Sequence, residues 1–213
     1  MKSIVGRLCA AAVVLSSLNG CAPLMLGTAV GGAFVVTDRR TSGAQLEDQG
    51  IKLKASNRIR EAVGERGHIN VTSYNRVILL TGEVVSEADR LTIEQVAART
   101  ENVRSVVNEL AVMGSSSLTS RSSDLLVQAK IKATLVDARD LQSNAFKVVV
   151  ERGDVYLMGM VTEREANRVA ELVSTISGVR RVVKVFQIIS EDELARKLPR
   201  PASPAASESS TQP

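Results

Sequence analysis

Tryptophan is absent from this chain of 213 residues, and two Tyr and three Phe are its only other aromatics. Flat faces on which bases or sugar rings stack are therefore scarce, which argues against nucleic-acid and glycan readers. The single histidine, His68, has no Cys, Asp or second His at metal-ligand spacing, so no metal site is expected. It is also the only imidazole base, and the abundant serines cluster in a linker and a tail where no activating partner is in view. The pairs Glu83 with Glu87 and Glu163 with Glu165 fall at expected helix starts, where capping and the helix dipole favour acids without any catalysis. Gly82, Gly153 and Gly159 carry no phosphate-loop pattern and read as turn and close-packing positions. The reading is of a non-enzymatic chain with no catalytic residues, no cofactor and no nucleic-acid partner.

What is present supports an ordinary folded body, with 44% apolar and 23% charged residues. The net charge of +4 includes Lys2 and Arg7. They open a segment, 1–20, whose apolar run Leu8 to Leu15 is too short to span a bilayer and fits a signal peptide. Leu18-Asn19-Gly20-Cys21 resembles a lipobox, which makes Cys21 the expected lipid anchor and first mature residue. Cys9 leaves with the signal, so Cys21 has no disulfide partner in the chain. Acyl chains on Cys21 would hold the protein at a membrane more firmly than any single chain. Ala22 after it, rather than Asp, favours the outer membrane in lipoproteins of this kind, with the body facing the periplasm. Residues 21–43 read as a lipidated apolar tether, and 191–213, which hold four of the five prolines, as a disordered tail.

Between these ends the sequence repeats. Ile78-Leu79-Leu80-Thr81-Gly82-Glu83-Val84 matches Val155-Tyr156-Leu157-Met158-Gly159-Met160-Val161 at an offset of 77. Asn102-Val103-Arg104-Ser105-Val106-Val107 matches Gly178-Val179-Arg180-Arg181-Val182-Val183 at an offset of 76. Each copy opens with apolar residues four apart, Ile51, Ala55, Ile59 and Val63, then Val127, Ile131 and Leu135, as one helix face requires. Asp124 is the expected cap of the second of these helices. Two β-rich runs follow, joined by short turns, then an amphipathic helix, opened in the second copy by the capping box Thr162-Glu163-Arg164-Glu165, then a Val-rich strand. The expected class is α+β, two tandem α-β-β-α-β modules at 44–113 and 124–190, joined by a flexible Ser-rich linker at 114–123. Modules of this size are near the lower limit for folding alone, so the two are expected to rest against each other.

The order α-β-β-α-β, the segment Gly153-Asp154-Val155-Tyr156-Leu157-Met158-Gly159 and the closing Gly178-Val179-Arg180-Arg181-Val182-Val183 resemble the BON domain. Two copies behind a lipobox, with Thr37-Asp38-Arg39-Arg40 ahead of the first, resemble the dual-BON outer-membrane lipoproteins. That resemblance implies a protein that binds anionic phospholipid such as phosphatidylglycerol or cardiolipin, supports envelope integrity and gathers at division sites. It places the lipid contact on the first helix of the second module, Asp124 to about Val136, with Leu126, Lys130, Lys132 and Val136 as phospholipid-binding residues. It also implies a Trp where this chain has Leu126, and Trp anchors better at a membrane interface. The residues alone agree in part: with Val127, Ile131 and Leu135 turned to the core, Leu126 points away and lines up with Lys130. The alternative reading is an adaptor whose exposed strand edges or apolar 22–36 segment recruit envelope protein partners, for outer-membrane assembly or cell-wall-hydrolase regulation.

Overall fold

The computed structural model describes residues 38–114 and 116–197. The expected signal peptide, Cys21, most of the tether and the end of the tail lie outside them. The first module comprises α1 (Ser42–Val63), β1 (Gly67–Tyr74), β2 (Val77–Val84), α2 (Glu87–Ala98) and β3 (Ser105–Val112). The second repeats this order as α3 (Leu118–Asp137), β4 (Phe146–Glu151), β5 (Asp154–Val161), α4 (Glu163–Ser174) and β6 (Arg181–Ile188), and a short α5 (Glu191–Lys197) follows. Each module builds a mixed three-stranded sheet: β2 pairs antiparallel with β1 and parallel with β3, and β5 does the same with β4 and β6. The two-residue turns Asn75-Arg76 and Arg152-Gly153 both have positive φ, the geometry that lets a tight hairpin follow the strand twist.

Period-two alternation sends Ile78, Leu80 and Val84 toward α1 and α2, and Val155, Leu157 and Val161 toward α3 and α4. The intervening Leu79, Tyr156, Met158 and Met160 are also buried, in a third core shared by both sheets with Val107, Val149, Val183 and Val185 at its margin. The sheets therefore pack face to face, each with its helices outside. The central strands are covered on both faces, which is why their sequences are nearly continuous apolar runs. At the repeat's matching glycines the neighbouring backbone passes too close for a side chain. A Cβ at Gly82 would lie 1.9 Å from the His68 carbonyl oxygen, and one at Gly159 would lie 2.5 Å from that of Ala145.

Three local expectations change. Ser117 caps α3, taking the Ser120 N–H at 3.1 Å, so residues 118–123 are helix rather than flexible linker. Asp124 instead accepts the N–H groups of Arg152 (2.7 Å) and Gly153 (2.8 Å), pinning the β4–β5 turn to the helix. Within the expected tail, residues 191–197 form α5, with acids in its first turn, bases in its last, and Leu194 buried in the inter-sheet core.

Asp48 does for the first module what Asp124 does for the second. Buried in α1, it accepts the Ser73 hydroxyl (2.6 Å), the N–H groups of Asn75 (2.6 Å) and Arg76 (2.9 Å), and the Arg40 guanidinium (2.7 Å). Burial alone would raise its pKa, but these donors together hold it below the ordinary aspartate value. The unfolded chain binds the proton more readily, so the stabilisation is full above the unfolded value of about 3.9 and is lost as pH falls through the folded value. Asp48→Asn should lose about 2–3 kcal/mol near neutral pH. Its deficit against the parent should shrink in acid, read as urea midpoints at about pH 7 and pH 3.

Candidate membrane interface

Helix α3 buries only Val127, Ile131 and Leu135, which leaves most of its circumference to solvent. On that outer side Leu118, Leu125, Leu126 and Val136 are 80%, 66%, 65% and 71% exposed. At 100° per residue, Leu118, Leu125 and Val136 fall within about 20° of one another, a line running nearly the length of the helix. Leu126 lies about 100° further round, with Ala129 and Ala133 between. Lys132 borders this apolar arc on one side and Lys130 on the other, both exposed. All four expected contact residues on α3 are thus on one exposed surface, with Leu126 and Lys130 on one shoulder and Lys132 and Val136 toward the other. Leu118 and Leu125 belong with them and were not expected. Their spacing of seven is legible, but the Ser-rich composition around residue 118 points to linker rather than helix. By contrast α1 exposes Leu46 and Leu53 on its outer line and continues it with Asn57 and Arg60.

The start of the described chain is held beside this surface. Asp38 lines a shallow cavity with Lys132, Leu135 and Val136. Arg39 donates to both carboxylate oxygens of Glu165 at 2.7 Å and to the Met160 carbonyl at 2.9 Å, so residues ahead of the first module are locked onto the second. Glu165 is also the closing residue of the expected capping box. Its burial would raise its pKa, but Arg39 and the Thr162 N–H outweigh that and lower it. Arg40 lies over the Tyr74 ring at 4.1 Å and pairs with Asp38 and Asp48.

Further polar links join the modules. Arg152, from the β4–β5 turn, donates to Glu83 (2.8 Å) and to the Gly82 carbonyl (3.0 Å). Glu83 is therefore a buried strand residue in a cross-module ion pair, not a helix-start acid. Arg181 reaches Glu109 at 2.9 Å and Asp154 at 3.0 Å, so part of the Arg180-Arg181 charge is spent between the modules. Asn70 donates to Glu151 at 2.9 Å, and His68 lies 3.2 Å from the same amide.

Arg39→Ala would leave the Glu165 carboxylate buried without its cation. A loss of about 3–5 kcal/mol is expected, read by denaturant unfolding. Glu165→Gln in the same background should recover part of it, because a neutral amide costs less to bury.

Comparison with known proteins matches the BON-domain family model at residues 48–114 and again at 123–190. The chain is 35% identical over 175 residues to the outer membrane lipoprotein DolP of Haemophilus influenzae, covering 81% of this chain and 90% of that one. It is 28% identical over 154 residues to the 21 kDa hemolysin of Actinobacillus pleuropneumoniae, covering 71% and 79%. Two copies of the α-β-β-α-β unit, both matched by the family model, together with likeness to DolP along most of the chain, establish that this protein belongs to the BON-domain family, among the dual-BON outer-membrane lipoproteins of which DolP is one.

Proposed function

We propose that the protein is a periplasm-facing binding module, anchored through lipidated Cys21, that holds anionic phospholipid through the outward face of α3 and thereby supports envelope integrity, including at division sites. It works by binding rather than catalysis. The observation that carries this is the exposed arc Leu118, Leu125, Leu126 and Val136 bordered by Lys130 and Lys132. Apolar side chains of this kind enter the headgroup boundary, and each lysine near an anionic surface is worth about 1 kcal/mol. Four aliphatic side chains take over the role of the single Trp that the family carries at Leu126.

Affinity at the face is weak by this arithmetic, and the anchor makes it sufficient. A tethered module meets the bilayer at high effective concentration, and Asp38, where the described chain begins, lies beside Lys132 and Val136. A second reading, capture of an envelope protein partner, is favoured by a separate apolar patch on the first module. Val85, Val112 and Met113 are exposed there, and the Met113 N–H donates to the Val84 carbonyl at 2.9 Å.

Vesicle flotation of the protein without acyl chains on Cys21 discriminates the two. Leu126→Glu replaces an apolar contact with a repelled charge and should weaken binding to phosphatidylglycerol vesicles about tenfold. Binding should also fall as salt rises and be absent from zwitterionic vesicles. Unchanged vesicle binding in this variant would shift the function to the Val85–Met113 patch.

A further inference from the structure

Where β1 and β4 meet at the margin of the inter-sheet core, a cleft of about 650 Å³ opens, walled by α1 and α3. Three lysines from three different elements line it: Lys52 of α1, Lys132 of α3 and Lys147 of β4. Lys147 is half-buried, and its ammonium donates to the Ser73 carbonyl at 3.1 Å. Among the described residues none of the three lysines forms an ion pair. The carboxylates of the cleft are held by its other residues, Asp38 by Arg40 at 2.7 Å and Glu151 by the Asn70 amide at 2.9 Å. Burial, and then the positive charges of Arg40 and Lys52, push the Lys147 pKa below the ordinary lysine value, against a partial offset from Asp48 and Asp38. With Arg40, four cations thus face two carboxylates, and the lining keeps a net positive charge. Ser56, Thr72 and Asn144 add hydroxyls and an amide to the same walls.

We propose that this cleft binds a hydroxyl-bearing phosphate ester of glycerol phosphate type, its anionic oxygens on Lys52, Lys132 and Lys147 and its hydroxyls on Ser56, Thr72 and Asn144. Ammonium groups serve a phosphate as point charges and need no fixed planar geometry. The polar neutral lining suits a polyol. An extended acidic peptide fits less well, because the strand-edge carbonyls it would pair with, Ser73 on β1 and Val148 on β4, are already taken by Lys147 and by Gln128. Lys132 also borders the proposed membrane face, so the cleft shares one residue with that reading, whereas Lys52 and Lys147 belong to the cleft alone.

The test is calorimetric titration of the full chain, in non-ionic detergent, with sn-glycerol 3-phosphate. Saturable binding is expected, weakened at least tenfold by Lys52→Glu and by Lys147→Met. Lys54→Glu makes the same charge change two residues away and outside the cleft, and should leave binding intact. Because Lys52 is solvent-exposed, its variant remains informative even if Lys147→Met unfolds the protein. Absence of saturable binding, equal losses in Lys52→Glu and Lys54→Glu, or tighter binding of a glutamate-rich peptide would overturn the proposal. No bilayer enters this titration, so its failure leaves the α3 reading standing, and the reverse also holds. Phosphatidylglycerol vesicles identify the source of the ester. Weaker vesicle binding by Lys52→Glu assigns the cleft to a lipid headgroup, and unchanged vesicle binding assigns it to a soluble ester.

Discussion

Leu79 from one sheet and Tyr156, Met158 and Met160 from the other are buried between two three-stranded sheets. Neither module could exclude water from these side chains by itself. A domain of about 60 residues buries only about 60% of the surface its unfolded chain exposes. Stacking the sheets closes the inner faces and leaves the helices on the outside, with α3 free to meet another surface. Polar links then fix the arrangement at several points: Arg39 on Glu165, Arg152 on Glu83 and Arg181 on Glu109. Each joins a residue of one segment to a partner at least 69 positions away, so the two repeats behave as one body.

Features that depend on neighbouring residues were legible in the sequence. The helix faces Ile51 to Val63 and Val127 to Leu135, the capping box Thr162 with Glu165, and the order of elements all follow from spacing and side-chain type. Features set by distant partners were not. Arg39 sits in a stretch read as tether, and nothing near it announces Glu165, 126 residues on. Composition misled at two places, where Ser117 and Ser190 cap helices within segments that looked like linker or tail. The same error hid one end of the proposed membrane face, since Leu118 drops out of the arc once its helix is begun at residue 124.

The two proposed sites divide the chemistry of a phospholipid between them. The α3 arc is apolar with cationic borders, suited to the boundary between headgroups and acyl chains. The cleft is cationic and more polar than apolar, suited to a headgroup or its soluble relative. Lys132 stands between the two, beside the point where the described chain begins. An anchored protein needs only modest affinity at either site, because the anchor supplies the concentration.

The central claim is that the outer face of α3 enters an anionic bilayer surface. With no native tryptophan, the emission of a Leu125→Trp variant reports that position alone. On phosphatidylglycerol vesicles it should shift to the blue and lose access to acrylamide, while staying unchanged on phosphatidylcholine. A matched Asn57→Trp on the outer face of α1 should stay unchanged on both. Unaltered Leu125→Trp emission on phosphatidylglycerol, or an equal shift at Asn57→Trp, would contradict the account.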